Sequence, residues 1–342
     1  MKAFIVDRYG KDVPLRAGEL PAPVPGEHEV LISVHAAGIN PIDSKIKAGE
    51  FKLILPFKAP FVLGRDLAGV VTAVGSGVRR FAPGDEVYAS LGKANTGAFA
   101  ELVAVNEDEV ALKPAGLSMA EAAALPMVTL TAWQALVEKA DVRPGDRVLI
   151  HAGSGGVGSI AIQLAKHLGT HVATTTSTGN VDWVRALGAD EVIDYRTQDF
   201  ATMLHNYDVV LDPLSGETLE KSVRVVRPGG LVIGINGPPD PAFAGQLGKP
   251  LLRPVMALLS RRIRRLARRN RVTYSFLFMR ADGSQLREIA ALADAGVLRP
   301  VIDRVFDFTD TVAALDYVDT GRAKGKVVIS KTDAKKGQPG SS

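Results

Sequence analysis

Cysteine is absent from all 342 residues. That excludes disulfides, thiolate nucleophiles and every cysteine-ligated zinc site, so a bound metal would have to be held by His, Asp or Glu alone. Histidine is scarce as well. The six (His28, His35, His151, His167, His171, His205) show no paired metal-ligand spacing, and Gly169 separates His167 from His171 where a helix should end, so no metal site is expected. No apolar run is long enough to cross a bilayer. The opening "MKAFIVDRYG" lacks the basic, apolar and small-residue regions of a signal peptide, and the expected location is cytoplasmic. Acid is missing from one stretch in particular: residues 253–271 hold eight arginines and no Asp or Glu, so that of a formal net charge of +4 the rest of the chain carries −4. The same stretch lacks aromatic residues, which argues against nucleic acid as a partner.

What is present divides in two. A chain of this length, with 46% apolar and 23% charged residues, suits two globular domains. The first 125 residues are rich in Val, Gly and Pro, with short alternating runs such as "EVLISVHAAG" and "DEVYASL" between turn signals, the pattern of a partly open β-barrel. From about Leu117 the pattern becomes helical, with Ser118 as cap and Glu121 completing a capping box. Strand and helix patterns then alternate from "RVLIHA" to "GLVIGIN", which implies a doubly wound α/β fold on a parallel sheet. The last strands, "VIDRVFDF" and "KVVIS", match the β-rich start in character. The expected domains are therefore 1–125 with 301–342, and 126–300, ending in a frayed "KTDAKKGQPGSS".

"HAGSGGVGS" places Gly153, Gly155 and Gly158 in a G-x-G-x-x-G pattern between a strand and a helix. In that setting the first Gly permits the turn, the second admits a pyrophosphate and the third lets helix pack on strand; a ligand-free glycine turn is the plainer alternative. An NAD-selective site ends its second strand with an acid, but here the end reads "ATTTSTGN", with no acid before Asp182. Ser177, Thr178 and Asn180 can donate to a 2′-phosphate, which favours NADPH while leaving NADH open. Tyr195 and Arg196, at the end of the third strand, are the nearest aromatic and basic groups to the adenosine end, unless they are simple strand-exit residues.

The strings "AAGINPIDSKIKAG", "LGRDLAGVV", "NTGAFAE", "HAGSGGVGSIAIQLAKHLGTHVATTTS" and "GRAKGKVV", in this order, resemble the medium-chain dehydrogenase/reductase superfamily. More narrowly, they resemble its zinc-independent quinone oxidoreductase branch, which includes enone and alkenal reductases. The resemblance implies a GroES-like β-rich domain followed by a Rossmann domain. It also implies what is lost: zinc-using members place a Cys where this chain has Asn40 and a His where it has Arg65, and Arg is no metal ligand. The cofactor contacts it implies fall on Gly156, Val157 and Gly158, on 177–180, on Tyr195 and Ile235, on Phe276, Leu277 and Phe278, and on Arg322 and Ala323. Many NADPH-using relatives carry Lys where this chain has Gly179. The family's habit of pairing through the edge of the nucleotide sheet makes "TYSFLF" the expected edge strand of a homodimer.

The chemistry so implied is hydride transfer from NADPH to a quinone or an α,β-unsaturated carbonyl without a Lewis acid. Asn40 and Lys45, in the expected loop "GINPIDSK", are candidate donors to the developing anion, with Lys45 alternatively at the nicotinamide and Thr131 matching the family's threonine there. Each also has a structural reading: turn residue, solvated charge, helix residue. Asp66 reads as a brace for Arg65 rather than an acid. Within 252–271, Leu252, Met256, Leu259, Ile263 and Leu266 form an apolar stripe on an arginine-clad helix. That helix either packs as a solvated element or touches anionic lipid or an acidic partner. The rival to an enzyme is an NADPH-binding protein of low turnover acting through this basic surface.

Overall fold

The computed structural model describes residues 1–93 and 95–331, so the expected frayed end at 332–342 lies outside the described residues. The chain divides into two units. One comprises Met1–Met127, Ala281–Asp294 and Pro300–Ser342, the other Val128–Arg280 and Ala295–Arg299.

The first unit is built on a seven-stranded sheet centred on the long strand Glu29–Ile39. Its alternating buried and half-buried residues follow the run "EVLISVHAAGI", one face packed and one partly wet. Antiparallel to it on one side runs Asp66–Val74, with Asp66 opposite Gly38 and, on the next strand, opposite Ser90. On the other side lies Lys326–Ser330, with Ile302–Asp307 beyond it, so the end of the chain does return to the β-rich start. Asp66 and Lys326 each begin a strand that borders Glu29–Ile39, and the register brings both beside its C-terminal end. This is the GroES-like part of the mixed α/β fold, and a three-stranded sheet containing Lys2–Val6 completes it.

The second unit holds six parallel strands. In chain order they are Arg147–Ile150, His171–Thr176, Glu191–Asp194, Tyr207–Asp212, Val226–Gly234 and Thr273–Phe276, and in the sheet they lie 3-2-1-4-5-6. That order defines a Rossmann fold, whose ligands bind outside the carboxyl ends of the strands where the order reverses. Thr273–Phe276 is an edge strand, as the family resemblance implies.

Three expectations need correction. "GINPIDSK" is not a loop but the helix Pro41–Ala48, because Pro41 occupies a first-turn position and the Asp43 carboxylate accepts the Asn40 N–H at 2.8 Å. The helical stretch after Ser118 is broken into Met119–Ala123 and Pro126–Trp133, the latter running on into a π-helical turn, Gln134–Lys139. Its cap is as expected, with the Glu121 carboxylate accepting the Ser118 N–H at 2.9 Å. Finally, the helix Gly283–Asp294 groups with the first unit and not with the nucleotide domain. Tyr88 donates to the Leu286 carbonyl, and a side chain at Gly283 would meet the Val110 carbonyl at 2.4 Å. Gly283→Val should therefore lower the stability of the first unit by about 1–3 kcal/mol, read from its urea-unfolding midpoint.

Candidate active site

In the second unit the glycine loop has the geometry its spacing implies. A Cβ on Gly153 would lie 2.3 Å from Thr174 Oγ1, and one on Gly158 would lie 2.2 Å from the Ala152 carbonyl, so both positions are closed by the protein itself. At Gly155 the only neighbour within 4 Å is the Ala152 carbonyl at 3.3 Å. The middle glycine thus faces open space at the start of the helix Gly156–His167, whose first N–H groups have no side-chain cap. A pyrophosphate fits there: the cradle is glycine where a ligand must approach, and the helix supplies donors and a favourable dipole.

Beneath the loop lies a buried hydrogen-bond chain that the spacing of the histidines did not reveal. His151 touches Thr175 Oγ1 at 3.0 Å through Nδ1 and Ser222 Oγ at 2.9 Å through Nε2, while Ser222 lies 3.3 Å from Asp212. Burial pushes the His151 imidazole down to about 3, keeping it neutral. The order Asp–Ser–His is not that of a nucleophilic triad, and the groups are sealed from solvent. Thr175 Oγ1 also accepts the Ala152 N–H at 3.3 Å, so this chain fixes the start of the loop, where Ala152 holds φ 53°.

At the adenosine end the donor set is smaller than the sequence suggests. Thr178 spends its hydroxyl on Asp194 at 2.6 Å, so a carboxylate does border this site, and Thr178 is withdrawn as a side-chain donor to a phosphate. Asn180 donates to Ser177 Oγ at 3.0 Å and accepts from the Trp183 indole at 3.0 Å, so the Ser177 hydroxyl proton and the second amide hydrogen of Asn180 are the donors presented. Gly179 has nothing within 4 Å of a would-be Cβ. Tyr195 is exposed, with the Arg196 guanidinium 6.0 Å from its ring.

Ile235 follows the strand Val226–Gly234, Phe276 ends the edge strand, and Leu277 and Phe278 follow it. Asp240 holds that last segment by accepting the Phe276 N–H at 2.8 Å, and Phe243 packs against both phenylalanine rings. Because the strands are parallel, all these residues, with Gly153, Gly155, Gly156, Val157 and Gly158, lie at the carboxyl ends of the strands. Thr131 sits buried in the helix Pro126–Trp133 of the same unit. Lys45, half-buried in the last turn of Pro41–Ala48, belongs to the first unit, as do Arg322 and Ala323 in the turn after the helix Thr311–Asp319.

The first unit contains the fate of the lost metal positions. Arg65 is buried with its guanidinium donating to the Leu91 carbonyl, and not to Asp66 as the adjacent charges suggested. Asp66 instead accepts from the Asn40 amide at 2.9 Å and the Met127 N–H at 3.1 Å, and its cationic partner is Lys326 at 3.4 Å. Lys326 also donates to the Asn40 side-chain oxygen and, at 3.0 Å, to the Ile39 carbonyl. Both ends of the Asn40 amide are therefore engaged inside the protein, which corrects its expected role as a donor to substrate. Two carboxylates, Asp43 and Asp66, thus share a buried neighbourhood with two cations, Arg65 and Lys326. Lys326 was hidden inside "GRAKGKVV"; the signal for it was a lysine at the head of an otherwise apolar strand.

These residues do not fit zinc. A guanidinium fills the place of an imidazole, an amide already engaged at both ends fills that of a thiolate, and the described residues hold no cluster of three His, Asp or Glu.

Comparison with known proteins identifies the family. Residues 26–115 match the alcohol dehydrogenase GroES-like domain, and residues 187–329 match the model described as zinc-binding dehydrogenase. The class is thus a two-domain dehydrogenase/reductase. The chain belongs to the medium-chain dehydrogenase/reductase superfamily, in its zinc-independent branch. It is 38% identical to the 2-methylene-furan-3-one reductase of Solanum lycopersicum over 96% of this chain and 79% of that one. To the mitochondrial NAD(P)H oxidoreductase RTN4IP1 of Danio rerio it is 35% identical, over 96% and 91%. Among solved structures, the quinone oxidoreductase from Coxiella burnetii superposes with a TM-score of 0.84 at 32% identity, over 97% of this chain and 99% of that one.

The buried cluster sets a pH dependence. Burial pushes the Asp43 carboxyl up to about 7, against the pull of the Asn40 N–H. Between about pH 4 and that value the folded chain keeps a proton that the unfolded chain releases, so this contribution is complete below about pH 4 and is lost as pH rises through 7. A shift of about three units corresponds to about 4 kcal/mol. Asp43→Asn, which keeps an acceptor for the Asn40 N–H, should flatten the fall in first-unit stability across that window, measured by urea unfolding at stepped pH; an unchanged slope would refute the assignment. Lys326→Met should cost about 3–5 kcal/mol by the same measurement at neutral pH, because it leaves Asp66 buried without its cation.

Proposed function

We propose that this protein is an NADPH-dependent, zinc-independent reductase that delivers hydride to quinones or α,β-unsaturated carbonyls. One observation carries the reading: an open glycine cradle for a dinucleotide accompanies a buried Arg65 where zinc-using relatives need a metal ligand. The names of the relatives support it, since a 2-methylene-furan-3-one is an α,β-unsaturated ketone and the solved neighbour is a quinone oxidoreductase.

When bound, the cofactor supplies a hydride to an acceptor whose conjugated system carries the charge to oxygen. The N–H groups at the start of Gly156–His167 would hold its pyrophosphate, and Ser177 would donate at the adenosine ribose, with Tyr195 beside the adenine. Ile235 and the segment held by Asp240 would position the nicotinamide half. Lys45 and Thr131 are the side chains proposed at the reacting end, the first as a positive charge toward the developing anion and the second as an orienting hydroxyl. Because Thr178 is engaged by Asp194 and Gly179 carries no ammonium, the preference for NADPH over NADH is expected to be modest. The edge strand Thr273–Phe276 is the proposed seam of a homodimer.

Purified chain should oxidise NADPH in the presence of a quinone or an enone, and prior dialysis against a chelator should leave the rate unchanged. Tight nucleotide binding with no acceptor reduced would instead favour the low-turnover NADPH-binding protein. Gly179→Lys, at a position with space for the side chain, should lower the Kd for NADPH about three- to tenfold and leave that for NADH unaltered. Equal effects on both cofactors would move the 2′-phosphate elsewhere.

A further inference from the structure

The arginine-rich stretch is two helices, Arg253–Leu259 and Arg261–Arg269, and not the one continuous helix its periodicity suggests. Ser260 bonds back to the Met256 carbonyl at 2.6 Å and breaks the run. The buried line therefore follows Met256, Ser260, Ile263 and Ala267, and Leu259 of the expected stripe is turned outward. What results is an outer face of unusual composition. Leu251, Val255, Leu258 and Leu259 are 91%, 53%, 68% and 58% exposed within nine residues of chain, beside a row of exposed arginines. Leu258 and Leu259 line a groove of about 520 Å³ together with Arg224, Arg261, Arg265 and Arg269, and Glu220, paired with Arg262 at 2.7 Å, is the acid that reaches it.

We propose that this face docks on the surface of an anionic phospholipid bilayer, with the four aliphatic side chains entering the acyl boundary and the arginines holding headgroup phosphates. Aliphatic exposure and uncompensated guanidinium charge occur together, as binding in the plane of such an interface requires. A planar guanidinium gives two parallel hydrogen bonds to a phosphate, so arginine suits this task better than a point charge does. A second copy of the chain is a poor occupant, because the same positive face would oppose itself. Nucleic acid would leave four exposed aliphatics without a role, and the helices offer no ring for a base to stack on. The inference goes beyond the reductase reading and does not depend on it: a protein that reduces nothing would still bind through this face.

The test is flotation of the full chain with vesicles of phosphatidylcholine containing phosphatidylglycerol, and of phosphatidylcholine alone, at low and high salt. Binding is expected on the anionic vesicles only, and it should weaken several-fold at high salt. The double variant Leu258→Ser with Leu259→Ser should reduce it at least fivefold, and the triple variant Arg261→Gln, Arg265→Gln and Arg269→Gln should abolish it. Unaltered circular dichroism would show that both remain folded. Absence of flotation at low salt would overturn the proposal, as would flotation indifferent to the leucine changes, which would mean unspecific charge attraction. Tight binding of an acidic oligonucleotide without vesicle binding would give the surface to another partner and equally end it.

Discussion

A guanidinium withdrawn from water must be matched, and around Arg65 the first unit is arranged to match it. Burial alone pulls the proton affinity of Arg65 down, while Asp43, Asp66 and Glu109 pull it back. Asp66 needs Lys326 for the same reason, and Asn40 stands between them with its amide donating to the acid and its oxygen accepting from the ammonium. The strand order makes this arrangement possible: Asp66 and Lys326 head strands on opposite sides of Glu29–Ile39, and Asn40 follows that strand directly. The residues that replace metal ligands are thus members of an internal ionic lock that spans the sheet.

The second unit solves a different problem, keeping one place open. Its glycine loop is closed at Gly153 and Gly158 by contact with the protein's own backbone and with Thr174, and open at Gly155. His151 and Thr175 hold the start of that loop through hydrogen bonds, with the imidazole kept neutral by its burial. Chemistry that relies on a bound nucleotide rather than a metal asks for little more from this unit than a rigid cradle and a clear edge of sheet.

Much of this was legible in the chain. Alternation of strand and helix patterns gave the parallel sheet, and glycine spacing in a strand–turn–helix setting located the cradle, because both are local consequences of backbone geometry. Arg65 excluded zinc once the family resemblance marked its position as that of a ligand, since a guanidinium binds no metal. What could not be read was pairing across distance. Lys326 lies 260 residues from Asp66 in sequence, and nothing near "RD" announces that its partner arrives from the far end of the chain. The same holds for Asp194 and Thr178, where the absence of an acid on one strand did not exclude an acid from the next. The Arg-rich helices failed as a single periodic stripe because one serine, by bonding to its own backbone, shifts which residues face inward.

The position of Lys326 also fixes an order of events during synthesis. The strand it begins is the last of the described chain, and it lies between Glu29–Ile39, made near the start, and Ile302–Asp307, made just before it. While the ribosome is still translating, all six strands of the nucleotide sheet are complete, yet the first unit has two acids, one guanidinium and a missing row in its sheet. Its lock closes only when the final cation emerges. A chain truncated shortly before residue 326 would therefore carry a finished nucleotide fold tethered to a first unit that cannot shut.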